Sequence, residues 1–303
     1  MTRFSWLLYG AVLIIACGCA SPAVNPSFPV TFDSADAAIR DMEKNPQPLP
    51  RPLVVVGGYL DPDISPLWLN DFFGRVTRNA TIVQVSLLTC SDFQEARANI
   101  IDAVDRACPG HAGDCTTDVD VVGMSMGGLA ARYAAAPSRD PAHSRRLVIA
   151  RLFTISSPHA GAVLAKAGIT PLQRDMKPGS DFLKYVAKFD ETAGYHIYPY
   201  VYLQDLVVGA QFAAPPGTNP YWLSKPDLAT SHTSALFDIR FLADISLHLR
   251  GEPAFTNSPP VPLPGPSVGR DGRSSGLPDY LPNSVSTKNS FIADQERWSA
   301  LAL

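Results

Sequence analysis

Apolar and polar positions change their period several times along the chain, and each change marks an element. Leu53-Val54-Val55-Val56 is a continuous apolar run, as in a strand buried on both faces. Gly57, Gly58 and Tyr59 follow it, and Leu67–Val76 then takes up helical spacing. Thr81–Leu88 reads as a second strand. Phe93, Ala96, Ile100, Ala103, Val104 and Ala107 put one apolar stripe on a helix over 92–107. Val119–Val122 is a third strand, with a helix over Met126–Ala136. Leu147–Ile155 and Tyr198–Gln204 read as the fourth and fifth strands, and Leu236–Leu249 as a closing helix. Strands alternating with helices predict an α/β fold over 50–250, with a mostly parallel central sheet covered by helices on both faces.

The flanks differ. Residues 18–49 are expected to hold a tether and an N-terminal helix (Ser34–Lys44), closing on the Pro-rich hinge Asn45–Pro52. Between Ala162 and Tyr195, helical pieces interrupt the rhythm; a cap over a site and a long crossover both fit. From Gly251 to Pro282 the chain has eight prolines and few large apolar residues, so 251–303 is expected to be a linker-like, Pro-rich tail, with Phe291–Leu303 forming a helix that docks back. There are no internal repeats. A chain of 303 residues fits one large α/β domain.

With 46 % hydrophobic residues a sizeable core is available, and a formal charge of −3 without a basic patch argues against nucleic acid as a partner. The N-terminus adds an address. After Met1-Thr2-Arg3, the apolar run Trp6–Ala16 is too short to span a bilayer comfortably and fits the core of a secretory signal. It ends Leu13-Ile14-Ile15-Ala16-Cys17, which resembles the bacterial lipobox. That resemblance implies a signal over 1–17, lipidation of Cys17 and an exported, membrane-anchored lipoprotein, sorted to the outer membrane in a Gram-negative cell. Cys19 fits less well, because Ala16 stands where the motif takes a larger aliphatic residue. An ordinary cleaved signal and an uncleaved anchor are the alternatives. Export implies an oxidising compartment. Cys108 and Cys115 flank a short Pro-Gly loop and are expected to form a disulfide, while Cys90 has no evident partner. His111 and Asp114 share that loop, but no second ligand pair lies nearby, so no metal site is expected.

The chemistry lies at Gly123-Met124-Ser125-Met126-Gly127, a G-x-S-x-G pattern. The pattern alone is weak, and the chain repeats it at Gly272-Arg273-Ser274-Ser275-Gly276, in the Pro-rich tail with no strand before it. Context separates the two. A nucleophile elbow needs a strand, a strained turn and a helix, and only Ser125 has all three. A serine hydroxyl is a weak nucleophile and needs a base, which needs an orienting acid. In this arrangement the order along the chain is Ser, Asp or Glu, His. His232, in the polar stretch before the final helix, is the favoured base over His248 at that helix's end. Asp205, just past the fifth strand and so at the carboxyl edge of the sheet, is the favoured acid over Asp190 and Asp227. The backbone N–H groups of Met126 and Tyr59 are the expected oxyanion donors.

Four stretches together resemble the α/β-hydrolase superfamily, and within it the lipase-like group that includes the GPI inositol-deacylase-like proteins. They are Val54–Tyr59, Gly123–Gly127, Thr154-Ile155-Ser156-Ser157-Pro158-His159-Ala160-Gly161, which is similar to the group's T-P-H-R-G, and Gln204-Asp205-Leu206-Val207-Val208, which is similar to its D-x-x-V acid loop. His159 matches a structural position of that signature rather than the base. The chain departs from the group at Gly57-Gly58, where His-Gly is usual, and at Ala160, where arginine is usual. No clear strand precedes His232.

The resemblance implies a serine hydrolase of carboxylic esters, acting on acyl esters or lipids through Ser125, His232 and Asp205 and an acyl-enzyme. That chemistry requires no metal or organic cofactor. The same triad could pass the acyl group to an alcohol or amine instead of water, and an inactive binding lipoprotein on the same fold is the third reading.

Overall fold

The computed structural model describes residues 23–109, 113–138, 140, 144–190, 192–225 and 231–265. The signal over 1–17, Cys17, His111, Asp227, the second G-x-S-x-G stretch and the expected terminal helix lie outside the described residues.

Six strands form one parallel sheet in the order β2-β1-β3-β4-β5-β6. They are β1 (Leu53–Val56), β2 (Ile82–Val85), β3 (Cys115–Met124), β4 (Arg146–Ile155), β5 (His196–Tyr202) and β6 (Tyr221–Leu223). Successive side chains leave a strand on opposite faces, so an all-apolar strand must meet a helix layer on each side. β1 does this. Val54 and Val56 join a core cluster with α3 (Phe93–Ala107) and α4 (Met126–Ala135), while Leu53 and Val55 join one with α1 (Phe32–Lys44), α2 (Ile64–Val76) and α8 (Ile239–Arg250). All four β1 side chains are fully buried, each stabilising the fold by about 1.5–3 kcal/mol on transfer grounds. This is the α/β-hydrolase fold expected from the sequence.

Parallel neighbours need a crossover, and the segment after β4 supplies it. A 3₁₀ turn at Leu164–Ala167, α5 (Pro171–Asp175) and α6 (Asp181–Asp190) lead into β5. Leu183 and Val186 of α6 are buried in the core, and Phe182 stacks on Phe93 with ring centroids 4.2 Å apart. So α6 belongs to the helix layer, and only 162–180 remains near the carboxyl edge. A short helix, α7 (Ser231–Ser234), precedes α8. No helix among the described residues is long and apolar enough to cross a membrane.

Three expectations are corrected. Residues 25–30 are not free tether: Phe28 is buried against the rings of Tyr200, Tyr221 and Phe241. Residues 251–265 are not a loose linker. Asp244 Oδ1 accepts the N–H groups of Phe255 and Thr256, Ser27 O accepts from Asn257 N–H at 2.7 Å, and Val261 N–H donates to Ser27 Oγ. Prolines here leave few N–H groups unpaired, so the strap needs few partners. Cys108 and Cys115 are not joined; both are free thiols. Cys108 ends α3, its N–H donating to Val104 O, whereas Cys115 is paired into the sheet opposite Arg146.

Candidate active site

The elbow is built by close approach of backbones. Ser125 sits between β3 and α4 at φ 51°, ψ −125°, outside the regions a side chain favours. Its N–H donates to Ile155 O at 2.8 Å, pinning the turn to the end of β4. Gly127 is required here: a Cβ on it would stand 2.5 Å from Val56 O. Gly128 lies equally close to Ser157, where a Cβ would meet Oγ at 2.3 Å. Thus the small residues let α4 dive under β1 and β4, which pushes the Ser125 hydroxyl out at the apex.

Asp205 lies three residues beyond β5 and is 1 % exposed. Its Oδ1 accepts the N–H groups of Val207 and Val208 at 2.9 and 3.0 Å. Burial alone would raise its pKa. The His232 charge, the His232 and Val208 hydrogen bonds and the Ser156 hydroxyl outweigh burial and hold it below the ordinary carboxylate value. An ionised carboxylate only accepts, so His232 Nδ1–H donates to Asp205 Oδ2, at 2.9 Å. When the imidazole is neutral its other ring nitrogen is the acceptor, and Ser125 Oγ–H then donates to His232 Nε2 at 3.0 Å. Three side chains 80 and 27 residues apart in sequence meet in one hydrogen-bonded line.

The neighbour of the acid locks the segment carrying the base. Gln204 O accepts from Ser231 Oγ, Gln204 Oε1 accepts the Lys225 N–H, and Gln204 Nε2 donates to Ser224 Oγ. Lys225 and Ser231, on either side of 226–230, are thereby both tied to Gln204 just past β5, so the position of His232 does not depend on a long final strand. Sequence reasoning missed Gln204; its only signal was its place next to the acid.

The turn that holds Tyr59 lies beside the elbow that Met126 follows. Gly58 lies against Ser125, since a Cβ there would be 3.2 Å from Ser125 Cβ. Asp61 Oδ2 accepts the Gly58 N–H, and Val85 O accepts the Gly57 N–H. Among the described residues no acceptor engages the Tyr59 or Met126 N–H, and Met126 opens α4, where helix N–H groups favour negative charge. The Tyr59 hydroxyl reaches Thr170 Oγ1 at 3.5 Å, joining the β1 loop to the segment after β4.

Ser156 was not singled out by sequence either. It follows β4 at φ 52°, is fully buried, and its Oγ has no hydrogen bond of ordinary geometry. Its N–H donates to Tyr200 O at 2.8 Å, and its hydroxyl bears on the Asp205 carboxylate.

The runners-up are engaged elsewhere. His248 contacts Thr256 Oγ1 at 2.7 Å and packs on Tyr198. Asp190 pairs with the buried guanidinium of Arg132 on α4. Arg132 Nη1 also donates to His159 Nδ1 at 2.8 Å, so His159 Nε2–H donates to Thr154 Oγ1, also at 2.8 Å. Burial, then the Arg132 charge, drives the His159 pKa well below its ordinary value. A neutral, fully engaged imidazole is a structural part, as its signature position implied. No group of three or more His, Cys, Asp or Glu among the described residues is placed to hold a metal ion.

The sheet, the elbow and the order Ser, Asp, His define the α/β-hydrolase fold. No protein-family model matches the chain, and no curated protein matches it by sequence. Solved structures similar to it include the mature form of the Bacillus licheniformis lipase BlEst2, at 17 % identity and TM-score 0.48, covering 71 % of this chain and 95 % of that one. The lin2722 gene product of Listeria innocua is similar at 13 % identity and TM-score 0.47, covering 67 % and 95 %. The metagenomic carboxyl esterase MGS0156 is similar at 16 % identity and TM-score 0.39, covering 66 % and 76 %. At these identities and overlaps the likenesses decide nothing about substrate or reaction.

Proposed function

We propose that the protein is a serine hydrolase of carboxylic esters, with acyl lipids as its substrate class. The observation that carries the reading is the line Ser125 Oγ, His232 Nε2, His232 Nδ1, Asp205 Oδ2, with contacts of 3.0 and 2.9 Å. Ser125 attacks the acyl carbonyl as His232 takes its proton, and the carbonyl electrons move onto an oxyanion between the Met126 and Tyr59 N–H groups. Collapse expels the alcohol, which leaves with the proton from His232. Water, deprotonated by the same imidazole, then releases the acid and restores Ser125. Asp205 keeps the imidazole in the required tautomer and stabilises its charged form.

Kinship with the GPI inositol-deacylase-like group rests on the four sequence stretches described above, and lipid as substrate on that kinship together with the lipobox-like Cys17. On the same basis the chain is a lipoprotein exported and anchored to a membrane, the outer one if the cell is Gram-negative. The decisive experiment is labelling with a fluorophosphonate probe, followed by peptide mass spectrometry and a series of p-nitrophenyl esters of increasing chain length. Modification of Ser125 and turnover that rises with acyl length are expected. An unlabelled Ser125 would sink the hydrolase reading, and preference for acetate would sink the lipid one.

A further inference from the structure

The turn between β1 and α2 leaves the sheet at Gly57, whose N–H donates to Val85 O at 3.0 Å. Residues 58–63 separate it from α2. Two of them, Leu60 at φ 56° and Asp63 at φ 67°, lie in the left-handed region without being glycine. Each such residue costs about 1–3 kcal/mol and persists only where its surroundings impose it. Asp63 holds the N-cap position of α2, yet its side chain caps nothing and its Oδ1 is buried without a hydrogen-bond partner. Asp61 does the capping from two residues further out. Its Oδ1 accepts the Ile64 N–H at 2.8 Å and the Ser65 N–H at 3.3 Å. Its Oδ2 accepts the Ser65 N–H at 3.2 Å and, across the turn, the Gly58 N–H at 3.4 Å. One carboxylate therefore ties the free N–H groups of a helix start to the residue before Tyr59. Asparagine and serine also cap helices, but each has one accepting oxygen. The same carboxylate crowds Gly57: a Cβ there would stand 3.3 Å from Asp61 Oδ2 and 3.1 Å from Pro66 Cγ.

We infer that Asp61 is a positioning residue of the active site: through Gly58 it fixes the turn so that the Tyr59 N–H is set toward an oxyanion beside Ser125. The inference rests on the ester-hydrolase reading above, in which that N–H is a donor. Two contacts favour this role over capping alone. Gly58 is stacked on Ser125, its missing Cβ 3.2 Å from Ser125 Cβ, so a shift of Gly58 is felt at the reacting hydroxyl. Tyr59 is held on its other side by its ring, half-buried against the core cluster of α3 and α4, with its hydroxyl 3.5 Å from Thr170 Oγ1. The peptide that joins Gly58 to Tyr59 carries the N–H in question, and it is thus gripped from both ends. Donors fixed before charge develops need no reorganisation during the reaction. Loosening the turn therefore weakens the transition state and leaves ground-state binding alone.

The test compares Asp61→Asn and Asp61→Ala with Asp92→Ala. Asp92 caps α3 through the Glu95 N–H at 2.9 Å and stands in a different loop, so it reports what losing an aspartate cap costs by itself. Asp61→Asn keeps an oxygen for the start of α2 and loses the second acceptor. With p-nitrophenyl esters both Asp61 variants should lose about 10- to 100-fold in kcat, with KM within about twofold of native. The acid limb of kcat/KM should not move, because the contact of His232 with Asp205 is untouched. Asp92→Ala should keep the native kcat. Amide hydrogen exchange at Gly58, which needs no turnover, should quicken in the Asp61 variants and not in Asp92→Ala. Native kcat in either Asp61 variant would overturn the inference, as would unchanged exchange at Gly58 or an equal loss of kcat in Asp92→Ala. A change confined to KM would mean that Asp61 acts on substrate, and a moved acid limb that it acts on His232; both would overturn it too. A native chain that turns over no ester would sink the hydrolase reading and the inference with it. An active native chain beside unimpaired Asp61 variants would sink the inference alone.

Discussion

The carbon that Gly58 lacks would stand 3.2 Å from Ser125 Cβ and 3.8 Å from its Oγ. The first strand's turn is thus stacked on Ser125, and on the proposed mechanism the space a side chain would fill is the space an acyl carbonyl must enter. Gly58→Ala is expected to fold, because only one short contact must relax, yet to lose about 10- to 100-fold in kcat/KM through misplacement of the reacting carbonyl. Ester kinetics with a matched thermal melt would check it; an active Gly58→Ala would place the acyl group elsewhere.

Ser125→Ala should lower turnover by about 10⁴-fold or more, and Asp205→Asn by a similar factor because an amide no longer selects the required tautomer. The two together should cost little more than either alone. Single-turnover assays on the three variants test this, and additive losses would show that the residues do not act as a unit.

Ser156→Ala removes a buried hydroxyl that bears on the Asp205 carboxylate. The Asp205 pKa should then rise toward the ordinary carboxylate value, which a carboxyl NMR titration of the native chain and the variant would read. Ser156→Gly removes the same hydroxyl while relieving the positive φ. If the shift reflects the hydroxyl, both variants show it; an unshifted Asp205 in both would remove the hydroxyl as its cause.

His159 makes stability depend on pH. Its folded pKa is depressed, so below the ordinary value near 6.5 the unfolded chain takes up a proton that the folded one refuses. Stability therefore falls as pH drops from about 7 toward 5. His248, also depressed by burial, acts in the same direction. Urea midpoints at the two pH values should differ in the native chain and differ less in His159→Asn. An unchanged slope in the variant would remove His159 as the source.

Much of this was legible from residue spacing alone. Val54–Val56 and the 92–107 stripe announce their elements because burial on both faces, or on one helical face, leaves a strong period. Ser125, His232 and Asp205 could be singled out because the chemistry demands those residue types in that order around a visible turn, and the structure brings the three into hydrogen-bond contact. β6 was not found, because Tyr221–Leu223 is three residues long and too short to show a period. The docking of 25–30 and 251–265 was missed for another reason. Extended, proline-rich chain carries no periodic signal, and only Phe28 among its residues is a large ring seated fully in the core. The Cys108–Cys115 expectation failed because proximity in sequence says nothing of the different elements that hold each thiol.

The strap formed by the two ends of the described body has a bearing on self-association. β6 is the last strand of its sheet, and an outermost strand is a template on which another chain can extend the sheet. Asn25 hydrogen-bonds to Trp222 O, and the Trp222 indole donates to Pro262 O, so both ends lie over that border. Trimming the chain to its strands and helices, from 32 to 250, would strip this shield and leave a shorter protein prone to polymerise edge to edge.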